Sequence, residues 1–173
     1  MHWLLEIFES KSDQARLVAI LVSAVVAIFV VLLNQWFVAK RARKELLISK
    51  IEELYVASSE YVSACRNILY ALKKEDEHRS EHGYFNPPRR LVDEIGDSLS
   101  KIEMICGLYF PEIDFDPDKY RIWNMEIIKA AEKGTVPPEA EGYLMHEDAW
   151  LHVRTSRATL DILCGDLMRQ YGR

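Results

Sequence analysis

The stretch Leu17–Ala39 reads LVAILVSAVVAIFVVLLNQWFVA, twenty-three residues without a charge, closed by Arg16 on one side and Lys40 on the other. A helix of that length reaches about 34 Å, enough to cross a hydrocarbon core of roughly 30 Å with some tilt. The stretch therefore predicts a transmembrane helix over 17–39, with a short external or interfacial tail at 1–16 and a cytoplasmic domain at 40–173.

Working outward, Met1–Ser10 reads MHWLLEIFES and puts Trp3, Leu4, Ile7 and Phe8 on one helical face. This places Trp3 at headgroup depth as an interfacial anchor. Ser10-Lys11-Ser12-Asp13 supplies an S-x-x-D helix start. A cleaved signal peptide is a poor description, because the leader is acidic and the apolar run is long. It ends on Trp36-Phe37 and Lys40-Arg41 rather than on small residues. On the other flank Lys40, Arg41, Arg43, Lys44 and Lys50 outnumber Lys11 and Arg16. Positive charge stays on the cytoplasmic side, so the expected orientation is N-terminus outside and C-terminal domain in the cytoplasm. Trp36, Lys40, Arg41, Arg43 and Lys44 are then the inner interface anchors. The lipid bilayer is the first partner, and the basic group is ordinary topology signalling that also attracts anionic lipid.

Within the span Ala19, Ser23 and Ala27 recur every four residues, with Ala24 beside them. A small-xxx-small row lets two helices approach closely, so self-association as a homo-oligomer is expected along it, although Ala and Ser are common in spans anyway. Asn34 and Gln35, near the inner end, are read as hydrated interfacial groups.

Residues 40–173 carry 20 Lys+Arg against 24 Asp+Glu, a net charge of −4. That balance argues against nucleic acid, which is bound through clustered cations. Cys65, Cys106 and Cys164 are unpaired by spacing and fall in apolar stripes, as buried thiols of a reducing compartment do. No glycine precedes Gly83 and no proline precedes Pro87, so the spanning helix is expected to run on to about Lys74. Its apolar row is Leu47, Ile51, Leu54, Tyr61, Cys65, Ile68 and Leu72, interrupted by Ser58 and widened by Ile48, Tyr55, Val62 and Leu69. A second helix follows, capped by Asn86 and striped by Leu91, Val92, Ile95, Leu99, Ile102, Ile105, Cys106 and Tyr109. A third starts at Asp116-Pro117, carries Tyr120, Trp123, Ile127 and Ala131, and stops at Gly134. The last carries Trp150, Val153, Leu160, Cys164, Leu167 and Tyr171, with Arg157 at a seam position. No segment alternates as a strand does. The expected fold is all-α: one N-terminal transmembrane helix continuing into a cytoplasmic bundle of about four helices.

The span ending in Trp36, followed by Arg41-Ala42-Arg43-Lys44 and then Lys50-Ile51-Glu52-Glu53-Leu54-Tyr55, resembles small, uncharacterised bacterial single-span membrane proteins with a cytoplasmic helical domain. Some of these are encoded beside phage-defence genes. The resemblance covers about a fifth of the chain and implies an inner-membrane location. It brings no catalytic residue with it. Small helical domains also resemble HEPN ribonucleases, but no Arg–His pair here has the spacing of their active site.

Two motifs have the form of metal sites. His78-Arg79-Ser80-Glu81-His82 matches H-x-x-E-H, in which two imidazoles bind zinc and the acid activates water. It lies in the charged connection 73–90, without the apolar face such a helix needs. Asp114, Asp116 and Asp118 alternate with Glu112 in a loop, but an EF-hand counted from Asp114 has Lys119 in place of Gly and Met125 in place of Glu. His78, His82, Asp114, Asp116 and Asp118 are thus candidates only, and neither metal nor cofactor is expected. Catalytic residues are expected to be none, the one exception being a metal-dependent hydrolase through His78, Glu81 and His82. Tyr84-Phe85 is expected to fold back onto the helices. The leading reading is a membrane-anchored interaction and oligomerisation module that docks a cytoplasmic protein partner. The alternative is a membrane-perturbing effector of a bacterial antiviral defence or toxin system, triggered through the helical domain.

Overall fold

A computed structural model describes residues 11–77, 85–135 and 139–172. Their regular structure is all helical: α1 (Lys11–Glu77), α2 (Arg89–Tyr109), α3 (Glu126–Glu132) and α4 (Glu139–Tyr171). Two 3₁₀ turns, Pro117–Lys119 and Ile122–Asn124, join α2 to α3. No strand occurs among the described residues. The sixty-seven residues of α1 contain neither glycine nor proline, so nothing in the backbone interrupts the hydrogen-bond ladder.

The chain divides into two units, Met1–Glu45 and Leu46–Arg173. In the first, α1 is apolar all round: Val18, Ile20, Leu21, Val22, Val25, Val26 and every large apolar residue from Ile28 to Val38 are exposed. This is a helix long and apolar enough to cross a membrane. The hydropathy boundary falls at Ala39/Lys40 and the packing boundary at Glu45/Leu46.

In the second unit the pattern changes to a stripe. Ile51, Leu54, Ala57, Tyr61, Ala64, Cys65, Ile68 and Leu72 are buried, at the three-and-four spacing of one helical face. From α2, Ile95, Leu99, Ile102, Ile105 and Cys106 join them, and from α4 Ala149, Val153, Leu160, Cys164 and Leu167. Short α3 adds Ile127, Ile128 and Ala131. Polar contacts at the margins of this core fix the helices against one another. Lys50 Nζ donates to Glu53 Oε2 at 2.6 Å, while Lys101 of α2 lies 3.7 Å from Glu53 Oε1. Tyr70 meets Trp150 of α4 edge-on with ring centres 5.0 Å apart. Phe85 is buried and its backbone N–H donates to Ala131 O at 3.0 Å, so this aromatic does fold back. Tyr84 lies outside the described residues.

The structure departs from the sequence expectations at four places. Asn86 does not cap α2. The N-cap is Pro88, with φ −55° and ψ 120° and no side-chain cap bond. A residue preceding proline is pushed out of the helical region, which bars Pro87 from the helix and delays its start. The continuous third helix is instead two 3₁₀ turns followed by seven-residue α3. Two carbonyls it would use are claimed by side chains: Tyr61 Oη donates to Tyr120 O, and Asn124 Nδ2 donates to Asp118 O at 3.1 Å. Arg157 is exposed, and Ser156 fills the seam. Tyr55 is exposed, although Val62 and Leu69 of the same widened edge are buried, and Ala57 and Ala64 extend the stripe on its other edge.

Candidate functional site

In the first unit Ala19, Ser23 and Ala27 lie on α1, each exposed. Four-residue spacing sets them one turn apart, a shallow strip on an otherwise bulky surface. At the far end of the apolar run, Lys40 Nζ stands 5.4 Å over the Trp36 ring, a cation–π pair, and Trp36 packs edge-on against Phe37. Arg41 Nε donates to Glu45 Oε1 at 2.8 Å, and Arg43 is exposed. Apolar surface thus gives way within two turns to an aromatic ring and then to cations. Trp3 lies outside the described residues.

In the second unit a file of small polar groups runs through the apolar core. Ser58 Oγ donates to Leu54 O of the previous turn at 2.8 Å, satisfying a hydroxyl that is 3% exposed. Tyr61 is fully buried and spends its hydroxyl on the Tyr120 carbonyl. Burial, followed by the neighbouring Cys65, raises its pKa. Burial also pushes the Cys65 thiol up to about 12, with the Tyr61 hydroxyl opposing. Cys106 and Cys164 are pushed up to about 11, first by burial and then by Cys164 and Asp161 respectively. All three thiols are free, buried and held protonated, which makes them packing groups rather than nucleophiles. At the surface, the hydrogen bond between Lys50 and Glu53 raises the lysine pKa and lowers that of the glutamate. The Tyr171 hydroxyl lowers that of Glu112.

Local partners account for the acidic loop. Asp116 Oδ1 accepts the Asp118 backbone N–H at 3.0 Å, capping the first 3₁₀ turn, and Asp116 Oδ2 lies 3.7 Å from Lys119 Nζ. Asp118 pairs with Arg121 at 3.1 Å. Asp114 is exposed. No group of three or more metal-ligating side chains occurs among the described residues. His78, Glu81 and His82 lie outside them.

One set of residues escaped the sequence reading. Ser59, Ser63 and Arg66 of α1 face Arg157 and Asp161 of α4 across a groove. The signal is present as a polar row at spacings of four and three beside the apolar stripe. Its meaning depends on which helix packs opposite, and periodicity does not tell that. No known protein family, curated protein or solved structure matches this chain. The functional reading therefore stands on these side chains alone.

Proposed function

We propose that the chain is a membrane-anchored, non-enzymatic helical module. In this reading Leu17–Ala39 is embedded in lipid as a single span, and the C-terminal helices form a cytoplasmic bundle that docks a protein partner. The observation that carries it is the exposure of every large apolar side chain from Ile28 to Val38, with Val18–Val26 alongside. A helix that is apolar all round, with its large side chains exposed among the described residues, needs an apolar solvent. A core helix of a water-soluble domain would show the same composition but would be buried, and here that stretch is not. The run from Trp36 to Arg43 has the chemistry of a membrane interface, aromatic first and basic after. Continuity of α1 through Lys40 favours a retained anchor over a removed leader.

Ala19, Ser23 and Ala27 provide the surface along which two spans would approach. Crosslinking of the full chain in native membranes tests this reading, with Ala19→Leu/Ala27→Leu as the comparison. The module reading predicts a discrete oligomer that the double variant weakens, together with protection of Arg173 from protease added outside intact cells. A monomer in both chains would remove the self-association, and cleavage at the C-terminus would reverse the orientation. Collapse of the membrane potential on expression, read with a voltage-sensitive dye, would favour the effector alternative.

A further inference from the structure

Between α1 and α4 the second unit holds a groove in two halves. The polar half, about 200 Å³, is walled by Ser59, Ser63 and Arg66 of α1 and by Arg157 of α4. The apolar half, about 450 Å³, is walled by Ile51 and Val56 of α1 and by Cys164, Gly165 and Met168 of α4. Tyr55 and Asp161 line both, so the halves adjoin. The size of the apolar half falls in the range of small-ligand pockets.

The charges in the polar half are under-used. Arg66 enters no ion pair among the described residues. Arg157 has Asp161 at 3.6 Å, longer than a well-made guanidinium–carboxylate bond. Two guanidiniums flanked by two serine hydroxyls suit an anionic group, and guanidinium prefers the planar or tetrahedral oxygens of carboxylate and phosphate. Two carboxylates oppose it: Asp161 at the junction, which competes for Arg157, and Glu52 at the rim of the apolar half. The apolar half offers Met168, an adaptable side chain, and open space over Gly165, where an added Cβ would meet nothing within 4 Å.

We propose that this groove binds a soluble single-chain amphiphile, its anionic head on Arg66 and Arg157 and its chain along Ile51, Val56 and Met168. A bare anion would leave the apolar half empty, and a neutral chain would leave Arg66 unanswered and Arg157 with only its 3.6 Å contact to Asp161. The test is a calorimetric titration of the full chain in phosphatidylcholine nanodiscs with octyl phosphate. Empty nanodiscs give the heat of partitioning, and inorganic phosphate and octyl glucoside serve as head-only and tail-only probes. Octyl phosphate should saturate at one per chain and bind about tenfold or more tighter than either partial probe. Arg66→Ala/Arg157→Ala should weaken it about tenfold, because each lost contact is charge-assisted. Gly165→Leu should weaken it without lowering the temperature of thermal unfolding, since the new side chain fills open groove in a helix that loses a glycine. Asp161→Asn should tighten it. Heat equal to that of empty nanodiscs, or unchanged binding by the double arginine variant, would overturn the proposal. Inorganic phosphate binding as tightly as octyl phosphate would overturn the amphiphile.

Discussion

Residues 18–38 and residues 51–72 belong to the same helix, yet they present opposite surfaces. The first segment exposes every large apolar side chain, whereas the second hides most of its apolar residues on one face and turns Glu52, Ser59, Glu60 and Arg66 outward. The difference lies in period rather than in helix propensity. A striped helix has an inside and finds it against other helices; an unstriped apolar helix has none, and in the proposed function its apolar neighbours are lipid. Core packing therefore governs the stability of 46–173, and under the proposed function lipid governs 17–39.

The largest expected effect sets one leucine against another. Leu54→Ala, at a fully buried position, should destabilise the second unit by about 2–5 kcal/mol. Leu32→Ala, 58% exposed, should leave that unfolding within about 0.5 kcal/mol. Urea unfolding of the full chain in nanodiscs, followed by tryptophan fluorescence, measures both, and equal effects would break the contrast. Next comes a charge in the apolar run: Val26→Arg should cost about 2.5–3.5 kcal/mol of membrane insertion. It would be read as the inserted fraction in a translocation assay, and Val56→Arg, at an exposed position of the second unit, should not change that fraction.

The buried thiols sharpen the comparison through pH. Their folded pKa values are raised from 9.0 to about 12 for Cys65 and about 11 for Cys106 and Cys164. The unfolded chain therefore loses these protons first. The stabilisation is complete below pH 9 and is lost as pH rises through about 11 and 12, at up to roughly 1.4 kcal/mol per pH unit for each thiol. A thiol reagent at pH 8 should label none of the three until the second unit is unfolded. The smallest effect belongs to Gly165→Ala, which should stabilise by about 0.5–1 kcal/mol, because the added methyl meets open space and relieves the helix of a flexible residue.

Much of the architecture is legible in residue order because it follows from local rules. The stripe Ile95–Leu99–Ile102–Cys106 in α2 needs only helical spacing, and the length of α1 needs only the absence of glycine and proline. The 117–125 segment escaped because its helix is broken from a distance. Tyr61, fifty-nine positions away, takes the Tyr120 carbonyl, and no local pattern announces that. Asn86 has the chemistry of a cap and loses the position to the backbone restriction of Pro87-Pro88. Ser59, Ser63 and Arg66 were visible as a polar row, but a groove is a property of two helices, and the pairing of α1 with α4 is written in neither alone.

Extraction of native membranes with alkaline carbonate tests the lipid-embedded span most directly, because it strips proteins held by charge and leaves those held by buried apolar surface. The full-length chain, identified by its mass of 20.1 kDa, should stay in the membrane pellet. Its release into the supernatant, or recovery only of a shorter product lacking Leu17–Ala39, would contradict the account.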